Sequence, residues 1–323
     1  MALVTLDELR EAQRRIAGVA VRTPLLPCPW ADRPGRSLHL KPENLQPTGA
    51  FKIRGAYNRL AALTDEERAR GVVAQSSGNH AQAVAYAARR LGIKAVIVMP
   101  DTSPEVKVEN TRSFGAEVIL VDMTQRDDLP AELVERHGYV WVPPYDDPYI
   151  IAGQGTTGLE IADDAAMLDL DLQTVLVPVS GGGLISGVAT ALKLTMPGVR
   201  VIGVEPALAG DAADSFRAGE RRVWPHSDTY RTIADGLRTT SLGVLPWEHV
   251  QAYVDDIITV SEEEIAEAVA VLARRGRLVA EPSGAVTTAA YLFHADALPG
   301  SRFAAVLSGG NLEPALLGKL LAA

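Results

Sequence analysis

The chain of 323 residues holds a single cysteine, Cys28. One thiol forms no intrachain disulfide and no cysteine zinc cluster, which predicts a reducing, cytoplasmic compartment. Basic charge is also scarce. The formal net charge is −9 and no Lys/Arg run appears, so the concentrated basic face of a nucleic-acid binder is missing. No apolar stretch approaches ~18 residues, which argues against a membrane span. The first residues, MALVTLDELREAQRRIAG, lack the basic start, apolar stretch and small-residue cleavage site of a secretory signal. They read instead as an amphipathic helix, with Thr5 and Glu8 spaced as a capping box. No internal repeat or low-complexity segment is visible.

What is present is an ordinary globular mix, 47% hydrophobic and 22% charged, long enough for two domains. Short runs rich in valine and isoleucine alternate with helix-length amphipathic segments. The runs are VVAQ (72–75), AVIVM (95–99), EVILV (117–121), TVLVPV (174–179), VIGV (201–204) and FAAVLS (303–308). Little polar alternation within them predicts parallel strands buried on both faces. Between them lie helices such as 78–91 and one following Ser261, which forms a capping box with Glu264. The pattern is that of an α/β protein with parallel sheets flanked by helices. The stretch WVPPYDDP (141–148) is the best candidate for a crossing between two lobes.

In such folds ligands gather where strands run out into loops. Three of these loops begin with serine and carry glycine: SSGNHA (76–81), SGGGL (180–184) and SGGNL (308–312). Gly181, Gly182 and Gly183 precede a helix, so backbone N–H groups and the helix N-terminus can form an anion cradle. The loop lacks a Walker lysine and the spacing of a dinucleotide fingerprint. That leaves a single phosphate, or simply a tight strand–helix turn. Ser76, Ser77, Asn79 and His80 suit a carboxylate or a phenolate oxygen; helix capping by Ser77 and a structural role for His80 are the plain alternatives. Ser308 can donate to a ring nitrogen or cap the next segment. Glu205 and Asp211, with a loop carbonyl between them, suit a hard cation, Mg²⁺ or Ca²⁺, or are two solvated acids. Lys52 sits between Phe51 and Ile53, bracketed by Gly49 and Gly55, an odd place for a solvated lysine. A phosphate seat, polar groups for a ring and a carboxylate, and a shielded lysine together describe a site for pyridoxal 5′-phosphate.

The arrangement resembles the fold-type II pyridoxal-phosphate enzymes (tryptophan synthase β-like), specifically the serine/threonine dehydratase and serine racemase group. The matching stretches run along nearly the whole chain: KPENLQPTGAFKIRGA (41–56), SSGNHAQAVAYAA (76–88), IAGQGTTGLEI (151–161), VPVSGGGLISGVA (177–189), VIGVEP (201–206), TIADGL (232–237), EPSGAV (281–286) and LSGGN (307–311). The resemblance implies a large cofactor-binding domain (1–51 and 148–323) and a small mobile domain (52–147). It implies that Lys52, after Phe51, is the Schiff-base lysine, that Asn79 holds the phenolic oxygen, and that Gly181, Gly182, Gly183 and the Leu184 amide hold the phosphate. Ser308 becomes the partner of the pyridine nitrogen, with Glu281 also beside the cofactor. Ser76, Ser77, Asn79 and His80 become substrate contacts. Glu205, the Ala209 carbonyl and Asp211 correspond to a divalent-cation site of the racemase branch, and Ser77 to the racemase serine opposite the lysine.

The implied activity is dehydration and deamination of a β-hydroxy amino acid such as L-threonine or L-serine, with serine racemisation as a side activity, in a homodimer. Alternatives are racemisation or 3-hydroxyaspartate dehydration as the main activity, β-replacement synthesis, and a silent binding protein of the same fold. Three departures stand out. Ala50 replaces the serine common before the Phe–Lys pair. The stretch 122–140 is short and aligns poorly. The chain ends soon after LSGGN, leaving no room for a C-terminal regulatory domain.

Overall fold

The computed structural model describes residues 2–103, 105–122 and 128–322; within the poorly aligning stretch, positions 123–127 lie outside the described residues. The strands are β1 (Leu26–Pro27), β2 (Ser37–Pro42), β3 (Val72–Gln75), β4 (Ala95–Pro100), β5 (Glu117–Val121), β6 (Val140–Trp141), β7 (Thr174–Pro178), β8 (Arg200–Pro206), β9 (Asp256–Val260) and β10 (Arg302–Leu307). They form a six-stranded sheet in the order β1-β2-β10-β7-β8-β9 and a four-stranded sheet in the order β5-β4-β3-β6. All pairings are parallel except β1 with β2.

All six apolar runs are strands, and the larger sheet shows why they read as continuous. Leu176, Ile202, Phe303 and Ala305 pack on one face with the helix Pro282–His294, while Val175, Val177, Ala304 and Val306 pack on the other with the helix Gly183–Thr195. A strand covered on both faces has no solvent side to mark with polar residues. EVILV departs from that reading. It is the edge strand β5, paired only with β4, and its Leu120 is 43% exposed. Four of these strands lie outside the six runs: the two-residue β1 and β6, and β2 and β9. β2 carries His39 and Lys41 among its apolar residues, and β9 reads DIITV after a helix, so neither shows a clean apolar run.

Both capping boxes form. Thr5 and Glu8 close the start of Leu6–Ile16, and Ser261 and Glu264 close the start of Glu262–Val271. The N-terminal helix buries Leu9, Ala12 and Ile16, the stripe expected at helical spacing.

One helix organises the rest. The 20-residue helix Pro148–Met167 packs on both the lysine-bearing helix Lys52–Ala61 and Gly183–Thr195. Its glycines allow backbone-to-backbone approach. A Cβ on Gly187 would lie 2.3 Å from the Ile151 carbonyl and 2.4 Å from the Gly155 nitrogen, and one on Gly153 would lie 2.6 Å from the Arg54 carbonyl. The stretch IAGQGTTGLEI is therefore a packing surface that joins the lysine-bearing helix to the helix that follows the glycine loop.

Candidate active site

Lys52 is the first residue of its helix. Its amine donates to the Pro144 carbonyl at 2.6 Å and lies 5.2 Å from the centre of the Phe51 ring. Burial lowers its pKa to about 8. The positive end of its own helix dipole disfavours an ammonium in the same direction. Ala50 and Ile53 beside it are fully buried.

A buried charge network anchors this helix. Arg54, two residues after Lys52, is fully buried. Its guanidinium donates to both oxygens of Glu43 (2.7 and 2.8 Å), both of Glu160 (2.7 and 2.8 Å), Thr156 Oγ1 and the Val21 carbonyl. Lys41 pairs with Glu160 at 2.8 Å and Asp164 at 3.8 Å, and Arg22 reaches Asp164 at 2.5 Å. Cations Lys41, Arg54 and Arg22 thus balance carboxylates Glu43, Glu160 and Asp164. Lys41, Glu43, Gln46 and Arg54 of KPENLQPTGAFKIRGA are explained by this network.

The glycine loop follows β7. Gly182 has φ +92°, a conformation that favours glycine. The helix Gly183–Thr195 then begins, and its first N–H groups have no acceptor within the helix. Leu242 Cδ2 and Pro246 Cβ would stand 2.7 and 2.8 Å from a Cβ on Gly182, so the close packing there leaves room only for glycine. A dianionic phosphate fits such a cradle.

Asn79 begins the helix Asn79–Leu91, and Gly78 rather than Ser77 is its N-cap. That removes helix capping as the reason for Ser77, which is half-buried in the same loop. Ser76 Oγ accepts from the Gly78 N–H at 3.1 Å. The Asn79 amide donates to Glu281 at 2.6 Å and accepts from Asn311 at 2.8 Å, so its orientation is set from both sides. Burial, and then the nearby charge of Asp235, push the Glu281 carboxyl up to about 8. At neutral pH it is mainly protonated, so it adds no negative charge beside a phenolate. Ser308 follows β10 and is buried; its carbonyl accepts the Phe51 N–H at 3.0 Å and its hydroxyl lies 3.5 Å from the Ser283 carbonyl. Gly309 bridges to Ala50, which ties the Ser308 loop to the lysine loop.

His80 is buried, with Nε2 3.0 Å from the Val142 carbonyl. A carbonyl only accepts, so Nε2 carries the proton. Burial, and then the Lys52 charge, push its pKa down to about 3. A histidine held neutral with its proton committed is a structural donor; only its backbone N–H at the helix start remains suited to a substrate carboxylate.

Glu205 lies in β8, Ala209 ends the turn Ala207–Ala209, and Asp211 begins the helix Asp211–Ala218. Glu205 Oε2 accepts from the Ala213 N–H at 2.9 Å. Glu205 Oε1 and both Asp211 oxygens are buried and unpartnered among the described residues. Burial raises both pKa values, Asp211 to about 7, and the Asp211 charge adds to the rise at Glu205. Two adjoining buried carboxylates with orphaned oxygens fit a divalent cation.

The lysine loop, the Ser308 loop, Asn79 and Glu281 are thus joined by direct contacts, the glycine loop is reached from Lys52 through Pro144 and Tyr145, and the acidic pair lies at the end of β8. Asn311 and Tyr145 were not singled out from sequence. Asn311 ends the quoted LSGGN motif, and Tyr145 lies inside WVPPYDDP, whose prolines and acids read as a connection.

A family model described as pyridoxal-phosphate dependent enzyme matches residues 16–309. The L-threonine ammonia-lyase of Thermotoga maritima is 44% identical over 99% of this chain and 78% of its own. The L-threo-3-hydroxyaspartate ammonia-lyase of Saccharomyces cerevisiae is 40% identical over 97% and 95%. The structure of maize serine racemase superposes with a TM-score of 0.92 at 40% identity, covering 99% of this chain and 98% of that one.

Proposed function

Since the chain belongs to the pyridoxal-phosphate dependent enzymes, in the serine/threonine dehydratase–serine racemase group, we propose that it converts a β-hydroxy amino acid, L-threonine or L-serine, to a 2-oxo acid and ammonia. The observation that carries this reading is a buried lysine amine with a pKa of about 8 at a helix start, its loop bonded to the Ser308 loop beside the Asn79–Glu281 pair, with Pro144 and Tyr145 connecting it to the glycine loop. Bound pyridoxal 5′-phosphate supplies the electron sink for the carbanion that forms at the substrate Cα.

The chain's own residues do the rest. Lys52 anchors the cofactor through its amine, with Phe51 beside it. Backbone N–H groups of Gly181, Gly182, Gly183 and Leu184 hold the phosphate. Asn79, oriented by Asn311 and next to a protonated Glu281, holds the phenolic oxygen. Ser308 would hold the ring nitrogen, and a hydroxyl there would keep it protonated less firmly than a carboxylate would. The substrate carboxylate sits on the Ser76–His80 loop, at the helix N-terminus. The Lys52 amine would take the substrate Cα proton; with a pKa of about 8 it is a usable base near neutral pH. Residues 52–147 serve as the small mobile domain, and two copies of the chain form a cytoplasmic homodimer. Glu205, the Ala209 carbonyl and Asp211 hold Mg²⁺ or Ca²⁺, which answers the unpartnered side-chain oxygens of Glu205 and Asp211.

A second reading, racemisation, is favoured by Ser77, whose hydroxyl is free of a capping role and could return a proton to the face of Cα opposite Lys52. A panel of β-hydroxy amino acids, both enantiomers, scored for 2-oxo acid release with and without EDTA, tests the proposal. Release from L-threonine or L-serine is expected, and Lys52→Ala abolishes it. Release that survives Lys52→Ala overturns the assignment.

A further inference from the structure

Four consecutive residues, Pro144 to Asp147, each touch a different part of the site. The Pro144 carbonyl accepts from the Lys52 amine at 2.6 Å. The Tyr145 ring covers the glycine loop: a Cβ on Gly181 would meet ring carbons at 2.3 Å, and one on Gly183 would meet Tyr145 Cβ at 2.9 Å. The Asp146 carboxylate accepts the N–H groups of Val244 (2.8 Å) and Leu245 (2.9 Å) at the start of the helix Val244–Tyr253. The residue before that helix, Gly243, donates to the Gly181 carbonyl at 3.0 Å. Asp147 caps the helix Pro148–Met167 through the Ile150 N–H (3.0 Å) and pairs with Arg59 of the lysine helix at 3.0 Å. The segment therefore spans from the lysine helix to the glycine loop and is fastened at both ends.

The contact to Lys52 has a chemical consequence. A lysine amine on a four-carbon stem is mobile unless held. A neutral amine has two N–H bonds and one lone pair. A carbonyl accepts one N–H and repels the lone pair, so bonding to Pro144 directs the lone pair away from that carbonyl. Such orientation is worth most at the moment a proton is taken from carbon. The carbonyl holds the amine only if it is itself fixed. Pro143 and Pro144 stiffen the approach, and the Tyr145 ring on Gly181 locks the exit.

We propose that Pro144–Asp147 is a positioning clasp, in which the Tyr145 ring, seated on the glycine loop, holds the Pro144 carbonyl where it orients the Lys52 amine as base. This rests on the role given to Lys52 above.

Competitive acetylation of the cofactor-free full chain across pH, read by mass spectrometry, reports the reactivity and pKa of Lys52 without any turnover. Steady-state kinetics of the holoenzyme with L-threonine gives kcat and KM. In Tyr145→Ala the Lys52 pKa rises from about 8 toward the ordinary lysine value, because water reaches the amine. Its kcat falls about 10- to 100-fold, with a smaller change in KM. Tyr145→Phe recovers most of both losses, since the ring and not the hydroxyl packs on Gly181. Asp146→Asn loosens the segment from Val244–Tyr253 without vacating the ring's place; it shifts Lys52 labelling in the same direction, and does so even where Tyr145→Ala folds poorly. Wild-type labelling in both Tyr145→Ala and Asp146→Asn overturns the clasp, as does Tyr145→Phe losing as much as Tyr145→Ala. Either result leaves the Lys52→Ala test standing, so failure of the clasp is distinct from failure of the activity.

Discussion

Arg54→Met removes the centre of the buried charge network while keeping an apolar stem of similar length. Every guanidinium N–H of Arg54 is engaged, and both of its carboxylate partners are buried, Glu43 completely and Glu160 to all but 4%. Without Arg54 the cations Lys41 and Arg22 face Glu43, Glu160 and Asp164, leaving one uncompensated negative charge inside. Stranding a buried partner in this way costs about 3–5 kcal/mol, a large share of the roughly 5–15 kcal/mol that holds a typical protein folded. A fall in Tm of about 5–10 °C follows for a chain of this size, measurable by calorimetry of the cofactor-free protein. The pH dependence carries a sharper signature. In the wild type, burial acts to raise the Glu43 pKa, but the Arg54 charge and hydrogen bonds and the Lys41 charge overcome it and hold it below the usual range. A depressed carboxyl pKa stabilises the fold above the unfolded value and loses that stabilisation as pH falls through the folded value. With Arg54 gone, burial dominates and the pKa is raised. Glu43, which adds no slope near neutral pH in the wild type, then makes Arg54→Met gain stability relative to wild type as pH falls from 7, because the buried carboxyl takes up a proton. Adding Glu43→Gln to Arg54→Met recovers much of the loss. A loss below about 1 kcal/mol, with a pH slope below 7 unchanged from wild type, would refute the reasoning.

Other changes separate the parts of the site. Gly187→Ala drives a methyl into the Ile151 carbonyl and Gly155 nitrogen, which costs about 1–3 kcal/mol or more in a packed interior; by displacing the glycine loop it weakens pyridoxal-phosphate affinity at least tenfold in a fluorescence titration. Mg²⁺ or Ca²⁺ raises the Tm of the EDTA-treated wild type, and Asp211→Asn abolishes that shift; an undiminished shift in the variant excludes Glu205 and Asp211 as the cation site. Ser77→Ala leaves elimination within about threefold of wild type and removes L-to-D serine conversion, followed by chiral chromatography. Conversion that persists in Ser77→Ala would assign the second proton transfer elsewhere.

Much of this site is legible in the residues because its chemistry is concentrated in strand-end loops. Consecutive glycines before a helix, a serine at the end of a buried strand and a lysine among apolar residues each violate local expectation, and such violations mark where backbone or side chain is reserved for a ligand. The apolar runs are equally legible where a strand is covered on both faces, as in β4 and β7, and misleading at the edge, as in β5. Contacts between residues far apart in the chain are a different matter. Arg54 and Glu160 are 106 positions apart, and Asn79 and Glu281 are 202 apart; no periodicity links them. Whether Ser77 capped a helix, whether the His80 ring was available, and what Tyr145 touched depended on which atoms the fold brought within bonding distance. The sequence by itself determined the kind of chemistry, since residue type and local spacing set what groups are on offer. Only the tertiary structure decided how they are held, because pKa values, tautomers and close backbone approaches arise from burial and from partners supplied by other elements.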